Sequence, residues 1–123
     1  MTKDRMVYRS FYVDPDVDDR LKEQAAQLGL SKGEMCRRYL HLGIAAMQAN
    51  GELAELPRTE PRLRVRGAYF LADVDSLLRS QVFELRTSMN NLIRRYLRTG
   101  MVVMQAPSQD QPKGKRRKRS DAQ

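Results

Sequence analysis

Two kinds of hydrophobic spacing alternate along this chain. Residues 6–13, "MVYRSFYV", are rich in β-branched and aromatic side chains and read as a strand. From residue 17 the apolar positions change period: Val17, Leu21, Ala25 and Leu28 recur at helical spacing and make one narrow stripe. Asp14-Pro15 supplies an N-cap followed by proline at the first helical position, and Gly29 closes the helix. Ser31 with Glu34 three residues on forms a capping box for a second helix. That helix carries a broad apolar face of Met35, Cys36, Tyr39, Leu40, Gly43, Ile44 and Met47.

The pattern then repeats. Residues 6–47 moved by 57 positions onto 63–104 align without a gap, with 15 of 42 positions identical, Arg37-Arg38-Tyr39-Leu40 and Arg94-Arg95-Tyr96-Leu97 among them. The second copy predicts a strand over "LRVRGAYF", a helix on Val74, Leu78, Val82 and Leu85, and a helix on Leu92, Ile93, Tyr96, Leu97, Met101 and Met104. Leu71 and Ala72 replace Asp14 and Pro15, so its first helix is expected to start near Asp73. The chain divides into an arm (1–5), copy one (6–47), a linker (48–62) marked by Gly51, Pro57 and Pro61, copy two (63–104), and a tail (105–123). A strand and two helices of this length cannot close a core, and a lone strand leaves its backbone unpaired. Two copies solve both problems if their strands pair antiparallel above four helices. The expected fold is therefore mainly α with a short two-stranded antiparallel β-ribbon, an intramolecular pseudo-dimer, and the free protein is expected to be a monomer.

The segment Gly-Leu-Ser-Lys-Gly-Glu-Met-Cys-Arg, residues 29–37, resembles the ribbon-helix-helix fold of the Arc/MetJ superfamily, whose second helix opens with Gly-x-Ser-x-x-Glu-x-Ile-Arg. Copy two keeps Ser88, Ile93 and Arg94 of that pattern and lacks its glycine and glutamate. Most members dimerise through identical strands. A chain carrying both halves is similar to single-chain members among accessory proteins of conjugative DNA transfer.

The resemblance implies a ribbon that enters the major groove of double-stranded DNA. In the family register Phe11, Val13, Ala68 and Phe70 face the helices, while Tyr8, Ser10, Tyr12, Val65, Gly67 and Tyr69 face outward. Arg9, Arg64 and Arg66 fall on the inward parity: either they flare from the ribbon to phosphates, or a bulge shifts the register in copy two. The candidate ribbon contacts are Arg9, Ser10, Tyr12, Arg64, Arg66 and Tyr69. Because Ser10 faces Gly67, and Tyr8 with Tyr12 oppose Tyr69 with Val65, the bound site need not be palindromic. The start of each second helix, at Ser31 and Lys32 and at Ser88 and Asn90, is the expected phosphate anchor.

Charge supports the same partner. Lys and Arg number 23 against 15 Asp and Glu, a net charge of +8, which favours an anionic ligand. The tail basic residues Lys113, Lys115, Arg116, Arg117, Lys118 and Arg119 are expected to be disordered and to contact phosphates, or to dock a protein partner. Arg37, Arg38, Arg94 and Arg95 are expected on the solvated side of their helices, with Glu34 pairing Arg38, and Tyr39 and Tyr96 in the core. The single cysteine, Cys36, lies on an apolar face, the only histidine is His41, and the cluster Asp14, Asp16, Asp18 and Asp19 suits a helix N-terminus. No catalytic set, metal site or cofactor loop is recognised, so no enzyme is expected. No membrane span or signal peptide is recognised either, and a cytoplasmic, nucleoid- or plasmid-associated location is expected. The functional expectation is a sequence-specific transcriptional regulator, a repressor, able to associate with itself on DNA. The alternative is a transfer-origin accessory protein of a conjugative element. An antitoxin or protein-binding module usually carries one copy and an acidic or amphipathic tail, and A-form RNA has a major groove too narrow for a ribbon.

Overall fold

A computed structural model describes residues 5–59 and 62–105 of the chain. The elements run β1 (Met6–Val13), α1 (Pro15–Leu28), α2 (Lys32–Asn50), β2 (Arg64–Leu71), α3 (Ala72–Glu84) and α4 (Met89–Gln105). The strands pair antiparallel from Met6 opposite Leu71 to Val13 opposite Arg64 in one uninterrupted register, with Ser10 opposite Gly67. The bulge that could have re-aimed the arginines of copy two is absent from this pairing.

Strand alternation decides what the ribbon buries. Phe11, Val13, Ala68 and Phe70 are buried beneath it, with Phe11 and Phe70 stacked at 5.9 Å between ring centres. They close over a core built from Val17, Leu21 and Ala25 of α1, Met35, Cys36, Tyr39 and Leu40 of α2, Leu78 of α3, and Leu92, Ile93, Tyr96 and Leu97 of α4. Leu28, at the last turn of α1, and its repeat equivalent Leu85, just past the end of α3, depart from the predicted stripes: both are exposed.

The helices α2 and α4 cross at two glycines. A Cβ on Gly43 would lie 2.5 Å from the carbonyl oxygen of Tyr96, and one on Gly100 would lie 2.0 Å from the carbonyl oxygen of Tyr39. The two positions are equivalents in the repeat, so each glycine admits the backbone that carries the other copy's tyrosine. The tyrosines are buried, as expected, and each satisfies its hydroxyl within its own copy: Tyr39 donates to Gln24 and Tyr96 donates to Gln81. The glutamines are themselves identical across the copies.

The caps explain the remaining boundaries. Ser31 accepts from the amide of Glu34 at 3.1 Å, and the Glu34 carboxylate, expected to meet Arg38, turns back to the Ser31 amide to complete the capping box. α1 begins at Pro15 as predicted, but the Asp14 side chain does not cap it. α3 begins at Ala72, one residue earlier than expected. Of the expected linker, residues 48–50 continue α2, and Leu53 is buried in the core. Arg95 holds that stretch by donating to the carbonyls of Leu53 and Ala54, while Thr99 accepts from the Ala54 amide.

The turn between the paired helices is the same in both copies. The amide of Leu30 bonds the Ala25 carbonyl, and its equivalent Thr87 bonds Val82. Both turns need a left-handed residue; copy one supplies Gly29 at φ 69°, while copy two places Arg86 there at φ 53°. A Cβ in that conformation costs about 1–2 kcal/mol, partly offset by glycine's greater freedom in the unfolded chain. Arg86→Gly is therefore expected to stabilise the protein by about 1 kcal/mol, read as a higher urea midpoint at an unchanged m-value.

Candidate nucleic-acid interface

The ribbon's outer face is built from Tyr8, Ser10 and Tyr12 of β1 and Val65, Gly67 and Tyr69 of β2, and every one of these residues is exposed. Tyr8 and Tyr69 stand opposite each other and meet edge to face at 5.1 Å. The Tyr8 ring lies along the ribbon rather than standing away from it. Its hydroxyl occupies the space above Gly67, where a Cβ would be 1.9 Å away. Glycine at this position lets the ring lie down.

Arg9, Arg64 and Arg66 project from the other face, and the structure gives each a carboxylate there. Both Nε and Nη2 of Arg9 donate to the two carboxylate oxygens of Asp75. Arg66 does the same to Asp18, at 3.0 and 2.8 Å, and Arg64 adds a bond of 2.9 Å to Asp18 and one of 2.7 Å to Asp19. Arg9 and Arg66 are repeat equivalents, as are Asp18 and Asp75, so each copy's strand arginine grips the other copy's first helix. Such bidentate pairs fix orientation as well as charge. The uninterrupted register removes the bulge, and in the protein alone Arg9 and Arg66 clamp the ribbon to the helices. The identity of both arginines and both aspartates across the copies is the sequence signal for this exchange, but only the antiparallel crossing brings residues 66 and 48 positions apart together.

Asp18 is buried, which opposes its ionisation, and hydrogen bonds from Arg66 and Arg64 outweigh that cost, so its carboxyl titrates below the usual range. With the folded value below the unfolded one near 3.9, the stabilisation is fully present above about pH 4 and is lost as the pH falls through the folded value. Acid titration followed by circular dichroism should show this loss below about pH 4. Asp18→Asn should lower stability at pH 7 and flatten the acid limb.

The second-helix starts carry Ser31, Lys32 and Ser88 at the surface, with Asn90 half-buried. Both serines act as caps, Ser88 accepting from the Asn91 amide at 3.0 Å. Asn90 does something the spacing does not reveal: its Oδ1 accepts from the Tyr12 amide at 2.8 Å and ties α4 to the edge of β1. Arg37 makes a comparable tie by donating to the Tyr69 carbonyl at 3.2 Å. Each outer-face tyrosine at an equivalent position is thus held through its backbone by the first turns of a second helix.

Arg94 corrects the expectation of a solvated face. It is buried, and its Nε donates to Asp14 Oδ1 at 2.8 Å. Arg98 bonds the other oxygen of Asp14 at 2.7 Å and also reaches Asp16. The apolar arc of α4 is interrupted by this arginine because the N-terminus of α1 brings an aspartate to meet it. In the equivalent place of the other copy Leu71 stands for Asp14 and His41 for Arg98, so the two halves differ in their ionic contacts.

Cys36 is a packed thiol, pushed up to about 12 by burial and so held as the neutral thiol at physiological pH. Among the described residues no helix is long and apolar enough to cross a membrane. The basic residues Lys113, Lys115, Arg116, Arg117, Lys118 and Arg119 lie outside the described residues. No protein-family model, curated protein or solved structure matches the chain.

Proposed function

We propose that this chain is a tandem ribbon-helix-helix protein whose two copies form an intramolecular pseudo-dimer, and that it binds double-stranded DNA sequence-specifically as a transcriptional regulator. The observation that carries this reading is the ribbon itself. Two repeat-equivalent strands of one chain pair in register, with all six outer-face residues exposed, in a protein of net charge +8. A two-stranded ribbon matches the width of the B-DNA major groove. The reciprocal Arg9–Asp75 and Arg66–Asp18 pairs support the pseudo-dimer, because each joins one copy's strand to the other copy's helix.

In this reading Ser10, Tyr12 and Tyr69 contact bases together with Tyr8 and Val65. Arg9, Arg64 and Arg66 set the ribbon's position rather than reading bases. Ser31, Lys32, Ser88 and Asn90 flank the groove and face phosphates, and the tail adds affinity without sequence preference. The two halves present different side chains, so the preferred site is asymmetric.

Fluorescence polarisation with duplexes recovered from footprinting upstream of the protein's own coding region tests this. Tyr12→Ala and Tyr69→Ala should keep the melting temperature and lose roughly 1–3 kcal/mol of binding per base contact, on the specific site only. Removing residues 113–119 should weaken all duplexes alike and lower the salt slope by at most ~5. Specificity that vanishes with the tail and ignores the ribbon variants would overturn the reading. Protection at a transfer origin instead of a promoter would point to the accessory role.

A further inference from the structure

The outer ribbon face has an unusual composition for a surface that meets base edges: three tyrosines, one valine, one serine and one glycine, with no amide, guanidinium or ammonium group. The usual bidentate partners of guanine are Arg and Lys, and those of adenine are Asn and Gln. On these strands the arginines are turned to the opposite face and held there by Asp18, Asp19 and Asp75. The hydroxyls that remain, on Ser10 and the tyrosines, can each donate or accept, so they discriminate poorly between bases. What an apolar surface can read in the major groove is the one apolar group displayed there, the thymine 5-methyl.

We infer that the ribbon recognises thymine methyl groups, and that its ligand is duplex DNA with thymines at the positions facing Tyr12, Val65 and the Tyr8–Tyr69 pair. This inference rests on the groove-binding reading above. The geometry favours it in two ways. Val65 stands directly opposite Tyr12, so an aliphatic group and a ring edge form one exposed apolar strip across the ribbon. At the other end the Tyr8 ring lies over Gly67 and meets Tyr69 edge to face, so the two rings form one exposed aromatic patch for a base edge to meet. Ser10, between the two strips, is the one small polar position, and separates two apolar reading heads that differ in shape.

Uracil keeps every hydrogen-bonding group of thymine and lacks only the methyl, so deoxyuridine isolates the proposed contact. The test uses the full 123-residue chain and a pool of duplexes with a random central segment, from which bound sequences are selected and then resynthesised with deoxyuridine for thymidine, at all positions and one at a time. Each methyl covered by the ribbon should change affinity about four-fold, the effect of burying one methylene-sized group. The thymidine preference should shrink in Val65→Ala and Tyr12→Ala and persist in Tyr12→Phe, which keeps the ring and drops the hydroxyl. Circular dichroism of the three variants should match the parent, because these side chains lie outside the core.

Equal affinity for thymidine and deoxyuridine duplexes, with tight and selective duplex binding retained, would overturn the methyl reading and leave groove binding intact. A thymidine preference lost in Tyr12→Phe would also overturn it, since the hydroxyl would then be the reader. Tighter binding to single strands than to duplexes would overturn both readings, the tyrosines then serving as stacking platforms for unpaired bases.

Discussion

Alanine at Gly100 is expected to destabilise this protein by roughly 3 kcal/mol or more, the upper range for overpacking a core. The added Cβ would lie 2.0 Å from the Tyr39 carbonyl oxygen, 2.6 Å from its carbon and 2.7 Å from its Cα. All three are backbone atoms, so no rotamer change relieves the contact; α2 and α4 must move apart. Among the described residues these two helices pack together more extensively than any other pair of elements, and Tyr39, Tyr96, Leu40 and Leu97 belong to the core they share. Close-packed interiors transmit such a shift instead of absorbing it. Gly43→Ala should act in the same direction through the 2.5 Å approach to the Tyr96 carbonyl, with a smaller effect. Gly33→Ala is the control: a Cβ there meets only the Ser31 hydroxyl at 3.9 Å and the Arg37 guanidinium at 4.0 Å, so the variant should be neutral or gain up to ~1 kcal/mol from helix propensity. Urea unfolding monitored by circular dichroism ranks the three. A Gly100→Ala variant as stable as the parent would show that the two helices can separate freely.

Asp14→Ala should be the most damaging change outside the glycines. The carboxylate is 1% exposed, and its partner Arg94 is 4% exposed, with a second guanidinium, Arg98, on the other oxygen. Removing one member of a buried ion pair typically costs 3–5 kcal/mol, because charge-assisted hydrogen bonds in a poorly solvated site are lost. Arg98 retains Asp16, and Arg94 retains Asn91 at 3.3 Å, so the lower end of that range, about 3 kcal/mol, is expected. The paired replacement Asp14→Leu with Arg94→Met should recover most of the loss, since a buried pair exchanged for apolar side chains of similar volume is often neutral. Copy two already has leucine at the equivalent position, Leu71, at the same strand-to-helix junction. Thermal melts of the single and double variants decide this: a double variant no better than Asp14→Ala would mean that the charges themselves are required.

The effects of these substitutions follow from how the repeat is used. Periodicity by itself places the strands and helices, because the shift from alternate to helical spacing at residue 14 and the cap residues Ser31, Glu34 and Gly29 act over a few residues. Strand alternation also determines which ribbon side chains point outward, since the pleat has period two and no bulge interrupts it. With the parity that the ribbon-helix-helix resemblance implies, this gave the outer face as Tyr8, Ser10, Tyr12, Val65, Gly67 and Tyr69, and the structure exposes all six. The need for the two strands to pair was legible too, because a strand without a partner cannot satisfy its backbone.

The partners of the charged groups were not legible. Arg9 finds Asp75, Arg66 finds Asp18, and Arg94 finds Asp14 across sequence separations of 66, 48 and 80 residues. No local rule selects among the carboxylates within reach of a long flexible guanidinium. Strand parity removed the arginines from the outer face without saying what would hold them, and helix periodicity assigned Arg94 to solvent because it cannot see the neighbouring α1. The closeness of α2 to α4 was likewise hidden: Gly43 and Gly100 match in the repeat, but only the crossing shows that each lies against the other copy's tyrosine backbone. Local spacing determined the elements and their faces, because those depend on backbone geometry over a few residues. Tertiary structure decided the ion pairs and the helix crossing, because those depend on which distant surfaces meet.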